Sequence, residues 1–379
     1  MSNSKISEYV DLPSAAPGAS QKLRFVKYGN EQARPKIYLQ AALHADETPG
    51  LLVMRELEKM LDASATTGNI QGHIVLAPVA NPIGLGQFNF GALQGRYNLA
   101  DGINFNRDYT DLYPQLLVWL EAKLGSDADQ NLRLIRSGCH DILAGEVPLT
   151  AVDSMRHALL SRAIDADYVF DIHCDDEAIL HLYTAPSAWP ELRDLVDCLE
   201  CPLVLLAHIS GGNPFDEACS SLWLSLAEAF PDHPIPTGCL ATTIELRGQA
   251  DVSEKLARQD ARALYSFMVK RGILSGEAAD VTRSEVAVHP LEGLARIKAP
   301  CTGVVTLRIQ PGQWVEAGEI LATVYPLEEG ALPVNVESPI AGMAFSRRMG
   351  RYVQAGLKIA SVSGTEARPV KPGQTLLGD

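Results

Sequence analysis

The chain has 379 residues, 46% of them hydrophobic and 21% charged, with a formal net charge of −14. That length points to two domains, because single domains usually run to about 100–200 residues, and the composition is that of an ordinary globular protein, not a disordered one. The acidic balance argues against nucleic acid or an anionic membrane as the main partner, since a phosphate-binding surface concentrates Lys and Arg; an anionic small substrate held by one buried Arg stays compatible with it.

The opening stretch Met1 to Glu8 lacks the apolar core of a signal peptide, and no uncharged apolar run reaches the ~18–20 residues of a membrane span, so a cytoplasmic location is expected. Seven scattered cysteines fit a reduced compartment. Cys198 and Cys201 form a lone CxxC with no second pair, which reads as small buried residues at a helix-to-strand junction.

Residues 1–35 read as a polar lead-in with one strand, Lys22 to Val26. From about 36 to 250, apolar strand candidates at 36–43, 73–79, 167–173, 202–208 and 241–247 alternate with helical patterns. That alternation predicts an α/β fold with a mixed, mostly parallel sheet and helices on both faces. Between Leu112 and Ala166 two or three helical stretches exceed a simple crossover, and part of them is expected to wall a pocket. A helix over residues 251–270 closes the unit, and the polar stretch Ser275 to Ser284 reads as a linker.

Beyond it, short strands separated by Gly and Pro repeat themselves. Ala299-Pro300-Cys301-Thr302-Gly303-Val304-Val305 returns as Ser338-Pro339-Ile340-Ala341-Gly342-Met343-Ala344, and the stretch from Gly312 to Ala322 returns from Gly350 to Ala360. This half-repeat resembles the biotinyl/lipoyl-like barrel-sandwich module. Such modules carry a cofactor on a lysine between the halves; here no lysine lies between Lys298 and Lys358, so carriage is not expected. The expected division is an α/β catalytic domain over residues 1–284, linker included from about 275, and an all-β domain over 285–379.

Open parallel sheets bind ligands at the carboxyl ends of their strands. The first strand ends at His44, with Glu47 in the following turn and Pro49 poised to open a helix; a second runs Tyr168-Val169-Phe170-Asp171-Ile172 into His173. His44, Glu47 and His173 form a two-His, one-Glu set of the kind used by catalytic zinc, which keeps a position open for water. Glu245, at the end of Thr242-Thr243-Ile244, suits a general base, the competing reading being a salt bridge with Arg247. Asn106 and Arg107 together suit a substrate carboxylate, and Arg96 is a candidate to stabilise a developing oxyanion. The run Asp175-Asp176-Glu177 reads as a solvated turn or, if it faces the pocket, as a site for a cationic group of the substrate.

These residues resemble the succinylglutamate desuccinylase/aspartoacylase branch of the zinc carboxypeptidases. The likeness runs from about Lys36 to Gly248 and rests on His44xxGlu47, Asn106-Arg107, Asp171-Ile172-His173 and Ile244-Glu245, in that order. It implies one Zn²⁺ per chain on His44, Glu47 and His173, Glu245 as base, and Asn106 with Arg107 on the substrate carboxylate. Arg96 corresponds to the family's carbonyl-polarising arginine, with a longer gap to Asn106-Arg107 here. Where the wider family often has an Asp to orient a zinc histidine this chain has Asn104, so Asp101 or Asp171 is expected to lend that support. A C-terminal β domain is also expected in this branch. The resulting expectation is a zinc-dependent deacylase of a small N-acyl amino acid; the alternatives are a metallocarboxypeptidase for short peptides and a non-catalytic metal-binding or interaction scaffold. The oligomeric state stays open, a homo-oligomer included.

Overall fold

The structure, a computed structural model, describes residues 5–14, 16–277, 283, 285–370 and 375–377. The expected linker from Ser275 to Ser284 falls mostly outside the described residues. Nine strands form one sheet in the order Ile6–Leu12, Gln21–Tyr28, His73–Ala77, Lys36–Ala41, Tyr168–Asp175, Leu240–Gly248, His181–Thr184, Leu203–Leu206 and Ala287–Pro290. The central run from His73–Ala77 to Leu240–Gly248 is parallel. The first two strands and the contact between Leu240–Gly248 and His181–Thr184 are antiparallel, so the sheet is mixed but mostly parallel.

Every residue of Lys36–Ala41 is buried, as expected of a strand covered on both faces. One face packs Ile37, Leu39, Phe170 and Ile172 against Val53, Leu57, Leu195 and Phe267 of helices Pro49–Thr67, Trp189–Leu199 and Glu254–Lys270. The other packs Tyr38 and Val169 against Leu116, Ile135, Leu159 and Trp223 of helices Tyr113–Trp119, Ala128–Ala144, Ala151–Ala163 and Phe215–Ala229. The period-two alternation of a strand thus divides its side chains between two cores. The polar lead-in carries two strands where one was expected, and His181–Thr184 and Ala287–Pro290 are four-residue strands too short to show a periodic signal. Among the described residues no helix is long and apolar enough to cross a membrane.

The repeated segment folds into matching strands: Gly303–Leu307 and Gly342–Arg347, Gln313–Val315 and Tyr352–Val353, Ile320–Tyr325 and Lys358–Ser363. The halves interleave, since Gly303–Leu307 pairs with Tyr352–Val353 in a four-stranded sheet while Gly342–Arg347 pairs with Gln313–Val315 in a five-stranded one. The two repeat glycines have equivalent jobs. A Cβ on Gly303 would lie 2.2 Å from the Tyr325 carbonyl oxygen, and one on Gly342 2.3 Å from that of Ser363. Val305, Leu321, Val324, Val353, Ile359 and Val362 fill the space between the sheets. The fifth strand of the larger sheet is Glu177–Ala178, which follows the Tyr168–Asp175 strand of the main sheet and pairs with Ser346 and Arg347. Glu177 also meets Arg347 and Arg351, and Asp175 lies 3.5 Å from Lys358.

Candidate active site

The Lys36–Ala41 strand is turned sharply at its end. Ala42 takes a left-handed φ of 58°, the buried Asn81 amide donates to the Leu43 carbonyl at 2.8 Å, and the helix opens with Pro49 in its first turn, where a missing N–H costs nothing. Gly50 lets that helix start rest on the strands that lead to His44 and His173, because a Cβ there would meet Ala41 Cβ and Ile172 Cγ2 at 3.0 Å. His44 and Glu47 are thereby aimed at the same point as His173, which the neighbouring strand delivers from the other side.

The three side chains are almost wholly buried, and one donor atom from each lies within 4.8 Å of the others. His44 Nδ1 is 3.0 Å from Glu47 Oε1, and His173 Nδ1 is 2.8 Å from Glu47 Oε2. The outer nitrogens are committed elsewhere: His44 Nε2 to Asn104 Oδ1 at 2.8 Å, and His173 Nε2 to Asp171 Oδ2 at 2.9 Å. A proton on each Nε2, facing Asn104 on one side and the Asp171 carboxylate on the other, leaves both Nδ1 lone pairs for a cation, with Glu47 as the anionic third donor. This donor set fits a divalent metal that takes nitrogen and oxygen ligands. Burial and the Arg96 guanidinium push His44 down to about 4. Burial also works to lower His173, but the Asp171 and Glu47 carboxylates outweigh it and hold this imidazole well above its usual range.

Support for the two histidines differs from expectation in one respect. Asp171 braces His173, as the sequence allowed, while Asp101 is exposed and bonds Asn98 Nδ2 and the Ile103 amide. Asn104 itself takes the place expected of an Asp on His44. Its own carbonyl receives Arg156 Nη2 at 2.9 Å.

Glu245 stands beside His173 as its partner in the parallel ladder. The salt bridge to Arg247 does not form: Arg247, at a φ of 64°, turns away to pair with Asp260, leaving Glu245 Oε2 buried without a hydrogen-bond partner among the described residues. Burial and the Glu47 charge raise the Glu245 carboxyl to about 8. Arg96 donates to Glu47 Oε1 at 3.0 Å, so it too reaches the cluster. Gly95 makes that approach possible, since a Cβ there would fall 2.1 Å from the Asp46 amide nitrogen. Arg107 gives its Nη atoms to two backbone carbonyls, Asn106 and Leu377, each at 2.7 Å, and to no carboxylate among the described residues. The Asn106 side chain accepts from the Phe215 amide at 2.9 Å and points its Nδ2 toward His173 Nε2 at 3.5 Å.

All seven residues line one cavity of about 540 Å³. None of its walls comes from residues 112–166, contrary to the expectation from their length; those helices spend their apolar faces on the core. The walls opposite the sheet come from the C-terminal strands and turns, through Arg296, Lys298, Arg348 and Lys358. Of the acidic run, Asp175 and Asp176 face the cavity, while Glu177 is held by the two arginines. Residues 33–127, which hold His44, Glu47, Arg96, Asn106 and Arg107, match the model of the succinylglutamate desuccinylase/aspartoacylase catalytic domain.

Over those residues the chain is similar to the succinylglutamate desuccinylase/aspartoacylase family. Its fold matches solved members of that family over nearly the whole length. A family protein from Shewanella amazonensis, 24% identical, superposes with a TM-score of 0.84, covering 94% of this chain and 98% of that one. Another from Shewanella frigidimarina, 23% identical, gives 0.82 over 96% and 98%. In sequence, the N-alpha-acetyl-L-2,4-diaminobutyric acid deacetylase of Halomonas elongata is 21% identical over 332 residues, 87% of this chain and 82% of its own length. The succinylglutamate desuccinylase/aspartoacylase match ends before His173 and Glu245, which the fold brings to the site from strands beyond it.

Proposed function

We propose that this protein is a zinc-dependent amidohydrolase that cleaves a small N-acyl amino acid into a free amine and an acyl carboxylate. The observation that carries the reading is the buried convergence of His44, Glu47 and His173 beside Glu245, whose Oε2 has no hydrogen-bond partner among the described residues. His44, Glu47 and His173 would hold one zinc ion, which supplies a polarising charge and water acidified toward neutral pH. Glu245 takes the proton of the attacking water and returns it to the leaving amine, work suited to a carboxyl raised toward neutrality. Arg96 steadies the negative charge that develops on the carbonyl oxygen. Arg107 offers its planar fork to the substrate carboxylate, with Asn106 fixing its orientation through the backbone carbonyl.

In this reading the repeated strands within residues 285–379 form a half-repeat barrel-sandwich domain set against the catalytic domain of residues 1–284, whose sheet also takes in Ala287–Pro290 as its last strand. It narrows the entrance with Arg296, Lys298, Arg348 and Lys358, which favours small substrates over the short peptides of a metallocarboxypeptidase. The cysteines described are all free, in keeping with a cytoplasmic, reducing location. Asp46 and Asp176 also line the cavity and make no ion pair among the described residues, which suits a substrate carrying a second, cationic amine. The name of the Halomonas relative specifies a diamino acid of that kind. A panel of N-acyl amino acids and short peptides offered to the zinc-loaded protein tests the reading. Amine release from the acyl amino acids is expected; turnover of peptides alone would favour the carboxypeptidase alternative, and turnover of neither would leave the scaffold reading standing.

A further inference from the structure

The Lys36–Ala41 strand carries one residue that its place in the core does not call for. Gln40 is fully buried in a run that otherwise offers Ile37, Tyr38, Leu39 and Ala41 to the two cores. An amide there needs partners for its oxygen and its nitrogen, or it opposes folding. Both are present. The Tyr38 hydroxyl, two residues back on the same face, donates to Gln40 Oε1 at 2.9 Å. With the oxygen so engaged, Nε2 faces the adjacent strand, where Gln40 is in register with Asp171, and donates to Asp171 Oδ1 at 3.0 Å. The reverse amide orientation would set an oxygen against the carboxylate, so the network allows one arrangement.

Asp171 is equally buried, and its second oxygen is the one 2.9 Å from His173 Nε2. A carboxylate is planar, so pinning Oδ1 determines where Oδ2 lies. Besides His173, Gln40 is the one side chain among the described residues that holds Asp171, and Asp216, a half-buried carboxyl nearby, repels it. We propose that Gln40 is a positioning residue for the metal centre: with Tyr38 behind it, it orients Asp171, which in turn orients the ligand His173. This inference rests on the reading of His44, Glu47 and His173 as a zinc site, and extends the support of that site to a residue that touches neither metal nor substrate.

The test is the zinc affinity of the full chain, measured by competition with a chromogenic chelator after the protein has been stripped. Gln40→Leu keeps the bulk and removes both hydrogen bonds; Tyr38→Phe removes only the hydroxyl that orients the amide. Loss of an outer partner of a metal ligand typically weakens metal binding by about 10–100-fold. Gln40→Leu, which acts through Asp171 and so one step further out, is expected to raise the dissociation constant toward the lower end of that range, about 10-fold, while the metal-free protein keeps its helical signal, and Tyr38→Phe to move it the same way by a smaller factor. At saturating zinc both variants should regain the wild-type KM, which a residue in contact with substrate would not allow. Wild-type affinity in a folded Gln40→Leu protein overturns the proposal. If that variant does not fold, wild-type affinity in Tyr38→Phe overturns it instead. A wild-type chain that binds no zinc would overturn the reading of the site together with it.

Discussion

Replacing Glu245 by Gln is the most direct probe of the chemistry, because the structure isolates what the change removes. The two side chains have the same shape, and Glu245 Oε2 accepts no hydrogen bond among the described residues, so no native bond to that atom is broken. What disappears is the capacity to take and return a proton. Positioned general acid–base groups contribute roughly 10²–10⁴-fold, equivalent to about 3–5 kcal/mol on the barrier. The zinc-loaded Glu245→Gln protein should therefore release amine from its best N-acyl substrate 10²–10⁴-fold more slowly than wild type, with KM little changed. A second readout comes from the metal-free protein. Burial and Glu47 raise the folded-state carboxyl to about 8, above its value in the unfolded chain. Between those two pH values the folded protein holds a proton that the unfolded chain has lost, so this group's contribution to stability is fully present in acid and disappears as pH rises through about 8. Melting of metal-free wild type should fall relative to Glu245→Gln between pH 5 and 9. An activity within tenfold of wild type would refute the assignment of Glu245 as the base.

Stripping the metal should abolish hydrolysis while leaving far-ultraviolet dichroism intact, since the ligands sit at the ends of strands whose cores are packed independently of them; full activity after exhaustive chelation would rule out a metal-dependent step. Arg107→Lys loses the planar fork, and a hydrogen bond to a charged group is worth about 1.5–3 kcal/mol, so KM for carboxylate substrates should rise by roughly 10–100-fold with a smaller effect on kcat. The corresponding carboxamides should be indifferent to the change; equal losses on both would show that Arg107 does not read the carboxylate. Asp176→Asn should reduce the preference for acyl amino acids bearing a side-chain amine over those without one, and unchanged relative rates would remove Asp176 from substrate selection.

Much of this site could be read from the sequence because parallel strands deliver their last residues to one edge. His44, His173 and Glu245 each follow an apolar run, and the sheet needs only to place those runs side by side. Residues whose role depends on a partner in another strand were hidden. Gln40 interrupts an apolar run with no periodic signature, and its partner Asp171 is 131 residues away. Asn81 and Gly95 brace the turn at Leu43 to Asp46 through contacts that no local spacing announces. Asn104 was visible as a departure from a motif, but only the fold shows its amide oxygen on His44. The helices between 112 and 166 misled for a related reason: their length suggested a wall, whereas their apolar faces are consumed by the core. The segment Glu177–Ala178 is too short to signal a strand at all, although it joins the two halves of the molecule.

That short strand gives the C-terminal sheets a place in the same stretch of chain as His173. Only three residues separate His173 from Glu177, and Glu177 is stitched to Arg347 and Arg351 across the junction. The cavity is therefore a composite in which one segment of backbone answers to two partners. Transplanted C-terminal strands would have to bring an edge that accepts Glu177–Ala178 along with their own cavity-facing cations. A chimera joined without that edge would disturb the chain next to His173.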